Sequence, residues 1–298
     1  ATDSNESAFA VAVSAAKQFV STGQPNRAKR AYDALKRDFP EIVGSDFDAY
    51  VKAEMLYAKR KFAQAAQEYE KFIEDYPESW LRQSALERQY QIGSAFLNGQ
   101  KRTVLLIFKL HAYEEGTEIM NKIADTAGDA PIAKKAIRTL ALANEKRGAY
   151  DEAYLAWADA ANRWPTGDIG QEALLGMARS LEKDYKGPKY DSKVLESARS
   201  YYNEYIERYP QSAAELGLKD KVSRIEQDLA MKELEIAKYY ERTENYKAAD
   251  MYCEKITEEF ADTPAAQNAQ AKLPTVKKQF VESQIPKKRK FNWKELFL

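Results

Sequence analysis

Four segments of this sequence end in an aromatic residue followed by proline, and each carries the same spacing upstream of that end. They are RAKRAYDALKRDFP, closing at Pro40, QAAQEYEKFIEDYP at Pro77, EAYLAWADAANRWP at Pro165 and SARSYYNEYIERYP at Pro210. In each, a small residue is followed four positions on by an aromatic one, and three beyond that by an apolar or small one. The sets are Ala28/Tyr32/Leu35, Ala65/Tyr69/Phe72, Ala153/Trp157/Ala160 and Ala198/Tyr202/Tyr205. Steps of four and three trace one stripe of an α-helix. Proline cannot extend that helix and biases the preceding residue away from helical angles, so aromatic-Pro predicts the stop. The aromatic ring itself is expected to fold back as an apolar plug.

A partner helix is predicted ahead of these, as in AEMLYAKRKF (53–62) and LALANEKRGAY (140–150). The turn between the two brings an aromatic just before an alanine: Phe62 then Ala65, Tyr150 then Ala153, Tyr246 then Ala249. Alanine lets two antiparallel helices approach closely, and the rings fill the space between neighbouring pairs. The pattern resembles the tetratricopeptide repeat, with its unit of about 34 residues. Six units are read, at 8–40, 46–77, 81–128, 132–165, 170–210 and 228–261. QKRTVLLIFKLHA (100–112) is inserted in the third and KDYKGPKYDSK (183–193) in the fifth. One unit cannot bury its own apolar face, so the units must stack. The expected fold is all-α, a right-handed α-solenoid of about six helix pairs. Its expected parts are a tail (1–7), N-terminal repeats (8–128), C-terminal repeats (129–273) and a basic, aromatic tail (274–298). Pro274 and Pro286 are expected to interrupt any helix in that last tail. The apolar run VLLIF (104–108) is expected to form an inserted helix folded on its neighbour, the alternative being a docking or membrane-touching patch.

The chemistry points to binding. Lysine plus arginine and aspartate plus glutamate both total 46, so the long-range attraction of a general nucleic-acid binder is missing. The single cysteine, Cys253, allows no intramolecular disulfide and no multi-cysteine zinc site. It stands at the aromatic position of the last stripe and reads as a buried thiol. The single histidine, His111, lies beside VLLIF, where a packing or surface role fits better than a catalytic one. Neither phosphate-binding glycine loop motif occurs, and no cofactor, metal or enzymatic activity is expected. No apolar run approaches the length of a membrane-spanning helix, about 20 residues.

In a stack of helix pairs the first helix of each pair lines the concave side. That projection places Val13, Lys17, Tyr50, Glu54, Tyr57, Tyr90 and Leu97 on a candidate protein-binding face. Its continuation gives Arg138, Glu145, Arg179, Glu182, Lys238 and Glu241, so the face reads as aromatic early and charged late. The tail SQIPKKRKFNWKELFL (283–298) is basic and then apolar. It reads equally as a cap on the last repeat or as a contact with a partner or an anionic membrane surface.

One stretch is more specific. In AMKELEIAKYYERTENYKAADMYCEKITEEFADTPAAQNAQAKL (230–273), Glu235 and Ala237 precede Tyr239-Tyr240, then Tyr246, Ala248-Ala249 and Asp262-Thr263. This looks like the last repeat of the BamD family of outer-membrane β-barrel assembly lipoproteins. YIERYPQS (205–212) and FIEDYPES (72–79) resemble earlier repeats of the same family. The resemblance implies a periplasm-facing scaffold, lipid-anchored through a cysteine upstream of this chain. It implies partners in a BamA-like barrel protein and in unfolded outer-membrane protein segments. It makes 8–97 the candidate substrate groove and 197–261 the candidate partner surface, with Tyr239, Tyr240, Tyr246 and Tyr252 as contact residues. The alternative reading is a periplasmic adaptor resembling the cell-division coordinator CpoB.

Overall fold

The computed structural model describes residues 2–41, 43–104, 108–187 and 190–285. The first helix pair is α1 (Thr2–Ser21) with α2 (Pro25–Asp38), and the second is α3 (Ser45–Ala58) with α4 (Phe62–Asp75). The third pair, α5 (Arg82–Leu97) and α6 (Tyr113–Ala127), is separated by the strands β1 (Lys101–Val104) and β2 (Phe108–His111). Then come α7 (Pro131–Arg147) with α8 (Tyr150–Arg163), and α9 (Gly167–Asp184) with α10 (Lys193–Arg208). A short α11 (Pro210–Glu215) leads to α12 (Leu218–Arg242), which pairs with α13 (Tyr246–Glu259), and α14 (Pro264–Ser283) follows. From α1 to α8, and again from α10 to α14, each helix packs on the next in chain order, as the solenoid reading requires. The chain divides into two compact units, one running to Ile169 and the other from Gly170. The division therefore falls one helix pair beyond residue 128, because α7 packs on both α5 and α6.

The sequence stripe is the packing stripe. Ala28, Ala65, Ala153, Ala198 and Ala249 are fully buried, and the residue four positions on from each, Tyr32, Tyr69, Trp157, Tyr202 and Cys253, is at most 1% exposed. Burial also pushes the Cys253 thiol above its ordinary pKa. The second helices end alike. Phe39, Tyr76, Trp164, Tyr209 and Phe260 leave helical geometry with φ between −130° and −134°, each still donating its N–H to the carbonyl four residues back. Phe39, Trp164 and Phe260 are buried plugs, and Tyr76 and Tyr209 are half-buried. The turns between the helices of a pair share a left-handed residue: Gly23, Arg60, Gly148 and Glu244, with φ of 71°, 59°, 77° and 58°. Glycine takes this conformation without strain, whereas a Cβ resists it.

Three expectations are corrected. VLLIF is not an inserted helix: Val104 closes β1 and Phe108 opens β2, paired with each other in an antiparallel two-stranded ladder inserted in an otherwise all-α fold. Leu105, Leu106 and Ile107, and the side chains of the hairpin including His111, lie outside the described residues. Pro274 does not stop a helix but sits inside α14, on its exposed side, where water can serve the carbonyl of Gln270 that proline leaves without a donor. The first helix of the last pair starts at Leu218 rather than near 228. Residues 286–298 of the expected tail lie outside the described residues.

Trp157→Ala should destabilise by about 3–5 kcal/mol in denaturant titrations, since a fully buried indole leaves a cavity the stacked helices cannot close. Glu244→Gly should stabilise by about 0.5–1 kcal/mol in the same assay, because it relieves left-handed strain at an exposed turn.

Candidate protein-binding faces

In the first unit the helices α1, α3 and α5 surround a cavity of about 380 Å³ whose lining includes Lys17, Ser21, Tyr50, Ser84, Arg88 and Gln91. Beside it lies Glu54, completely buried on α3. Its carboxylate accepts from Arg88 Nε at 2.7 Å and Nη2 at 3.2 Å, from the Tyr32 hydroxyl at 2.8 Å and from the Tyr69 hydroxyl. Arg88 spends its remaining N–H groups on Ser21 Oγ and Gln91 Oε1, both at 3.0 Å, and on the Lys17 carbonyl at 3.2 Å. Its guanidinium also lies 4.7 Å from the centre of the Tyr57 ring. Burial disfavours the Arg88 charge, but the Glu54 carboxylate outweighs it and holds the pKa above the ordinary arginine value. Burial first, and Glu54 next, push the Tyr32, Tyr50 and Tyr69 hydroxyls well above the usual phenol range, so all three stay protonated.

The residues projected onto the concave face separate into two groups. Val13, Tyr50, Glu54 and Leu97 are buried in the helix packing, although Tyr50 also lines the cavity. Lys17, Tyr57 and Tyr90 are half-buried and face open space in part. Tyr57 donates to Gln91 at 3.3 Å. Tyr90 bonds Thr139 of α7 at 2.9 Å beneath the ammonium of Lys135, 4.3 Å from the ring centre.

The charged continuation of the face is mostly internal wiring. Glu182 accepts from the Tyr202 hydroxyl at 2.6 Å and from Lys221 at 2.9 Å. Glu145 accepts from the Trp157 indole at 2.6 Å, and Glu241 from Lys272 at 2.7 Å. In three places, then, a glutamate on one first helix meets a cation one repeat further along: Glu54 with Arg88, Glu182 with Lys221, Glu241 with Lys272. Sequence reasoning passed over Arg88, Ser84, Lys221 and Lys272. The available signal was a basic residue about one repeat length after each glutamate.

The second unit offers a different surface. Tyr239 and Tyr240 of α12 meet edge to face at 5.5 Å, and Tyr240 stacks on Tyr252 of α13 at 5.5 Å and 24°. Tyr239 is 54% exposed, and Met231, two turns earlier on α12, is 53% exposed. Tyr246 opens α13 half-buried and makes no ring contact with this cluster. Among the described residues no group of three or more His, Cys, Asp or Glu side chains could hold a metal ion, and no helix is long and apolar enough to cross a membrane.

Serial helix pairs with alanine crossings and aromatic stops make this a tetratricopeptide-repeat protein, and the tetratricopeptide repeat family matches residues 49–79. The outer membrane lipoprotein family YfiO, which is the BamD family, matches residues 108–291, more than half of the chain. The chain belongs to that family. No curated protein sequence matches it. Among solved structures it is similar to the TPR2AB-domain:pHSP90 complex of yeast Sti1, at 13% identity, covering 94% of this chain and all of that one, with a TM-score of 0.23.

Arg88→Met should destabilise by about 3–5 kcal/mol, because it strands a desolvated carboxylate. The double variant Glu54→Gln/Arg88→Met should recover most of that loss, read by chemical denaturation across the double-mutant cycle.

Proposed function

We propose that this chain is a non-enzymatic scaffold of outer-membrane β-barrel assembly. The first unit receives unfolded segments of barrel proteins along α1, α3 and α5, and the second unit docks on a BamA-like barrel protein. The observation that carries the reading is the aromatic cluster of the exposed Tyr239 with the half-buried Tyr240 and Tyr252, which lies inside the segment matched by the outer membrane lipoprotein family. Tyrosine rings give large, amphipathic contact area at low entropic cost and recur at energetic centres of interfaces. A monomer gains nothing by leaving the Tyr239 ring and Met231 open to water. The groove of the first unit offers half-buried tyrosines with polar neighbours, which suits an extended segment better than a folded domain. A lipid anchor upstream of Ala1 completes the reading and would hold the chain at the periplasmic face of the outer membrane.

An affinity-tagged chain, solubilised with its membranes, is expected to co-purify a BamA-like barrel protein. Tyr239→Ser/Tyr252→Ser should lower that recovery by about tenfold or more without changing the melting temperature appreciably. Equal recovery with the double variant, or no barrel protein recovered by either, counts against the proposal.

A further inference from the structure

We infer that the groove between the second helices α6 and α8 docks an extended, uncharged protein segment, which it reads through a main-chain amide and an aliphatic side chain. The groove lies wholly in the first unit and shares no residue with the cavity lined by α1, α3 and α5. It therefore stands independently of what the first-helix face receives.

The register of the repeats explains why a groove forms here. Phe19, Leu56 and Tyr240 stand nine residues ahead of the stripe alanines Ala28, Ala65 and Ala249, and four ahead of the left-handed turn residue. The same position ahead of Ala153 holds Asn144, a smaller and polar side chain. With Leu140 it floors a space of about 470 Å³, bordered by Thr117 and Asn121 of α6 and by Leu155 and Ala156 of α8. That space suits a few residues of a peptide.

Asn144 carries the chemistry. It is 3% exposed yet lines the groove, and its one side-chain hydrogen bond is accepted by Oδ1 from Arg147 Nη2 at 3.1 Å. Its amide N–H groups meet no acceptor among the described residues, and unlike the orphaned hydroxyl of Ser180 they are not sealed inside the core. Donors on so covered a side chain are normally served. Thr117 and Asn121 likewise spend no side-chain hydrogen bond on the described residues, so three neutral polar groups face one space.

The charges of the lining disfavour a charged ligand. Arg163 closes one end by bridging Asp125 of α6 at 2.6 Å and Asp159 of α8 at 2.9 Å. Arg147, stacked 4.6 Å from the centre of the Tyr113 ring, and Glu152 in the first turn of α8 are both exposed and opposite in sign. Neither a carboxylate nor an ammonium therefore gains a net counter-charge. An amide can accept from Asn144 and donate to Thr117 or Asn121 in return. Leu140, Ala156 and Leu155, the last 64% exposed, offer the apolar contact for an aliphatic side chain.

The probe is the tripeptide Gly-Leu-Gly, acetylated and amidated, with three relatives: alanine in place of leucine, a free carboxyl terminus, or a free amino terminus. Binding to the full chain, isotope-labelled at its asparagine side chains, is followed by NMR through the amide groups of Asn144 and Asn121. Asn144→Asp and Asn121→Asp assign the two signals. The doubly capped leucine peptide should shift both saturably and bind about fivefold or more tightly than each relative. Asn144→Leu, which places there the side chain that Leu56 supplies in the second pair, should weaken binding about tenfold or more, read through Asn121. Leu155→Ser should do the same, read through Asn144, and its exposed position keeps the fold intact if Asn144→Leu does not. Leu216→Ser, at an exposed leucine of the second unit, should change nothing. No saturable shift, tighter binding of a charged form, or full affinity in a folded groove variant overturns the inference.

Discussion

A glutamate on the first helix of a pair, gripped by a cation one repeat further along, is the interaction on which this architecture turns. Apolar contacts between helices tolerate sliding, because burial is proportional to area and nearly indifferent to direction. A desolvated carboxylate is not tolerant. Its attraction to donors collapses once they leave hydrogen-bond distance, and what remains is an unpaid solvation debt. Glu54 makes the strongest case, with Arg88 of the following pair and the hydroxyls of Tyr32 and Tyr69 all converging on it. Four helices, α2 to α5, must arrive together for that one side chain to be satisfied. Glu182 and Glu241 repeat the device nearer to solvent, where each pair contributes about 0–1 kcal/mol and acts mainly on orientation.

This wiring decides what is left for binding. A carboxylate committed to the next repeat is not free to meet a ligand, so the charged half of the projected face loses most of its apparent recognition capacity. In the first unit the committed residues form a floor, made of Glu54, Arg88 and the tyrosines around them. Above the floor the half-buried Tyr57 and Tyr90 turn part of their surface to open space. The rigid floor matters as much as the open groups. A ligand that meets preorganised donors does not also have to order them.

The second helices were legible in the sequence because their stripes are the whole story: alanine, then an aromatic four on, then proline after the final ring. Every stripe residue from Ala28 to Cys253 is buried where that spacing put it. The first helices were harder to read. They touch neighbours on several sides, so α3 buries Phe47, Tyr50, Ala53, Glu54 and Ala58 without one clean apolar face. A charged residue on such a helix reads by default as solvated, and only its partner one repeat away reveals otherwise. VLLIF failed for a different reason. A run of five apolar residues fits a strand and a buried helix equally well, and neither length nor flanking turn residues separates them. Pro274 failed because the rule against interior proline concerns the carbonyl it leaves unserved, and on an exposed helix face water serves it.

The helix α14 packs on the last described pair as the first helix of a further pair would. Ala265, Ala266, Ala269 and Val276 of α14 are buried, the first three in the core of the second unit, while Gln267, Asn268 and Gln270 face outward. Lys272 of this helix also provides the cation for Glu241, so α14 stands in for the next first helix electrostatically as well as sterically. At the same pair Cys253 replaces the stripe aromatic. A thiol cannot offer the hydroxyl that Tyr202 gives to Glu182, which leaves Glu241 more dependent on Lys272 of α14. Of the rings clustered in this region, Tyr239 is exposed and Tyr240 and Tyr252 are half-buried. The last pair thus gives up internal satisfaction for external surface, and it does so within the outer membrane lipoprotein match, whereas Lys17, Tyr50 and Ser84 lie outside that match.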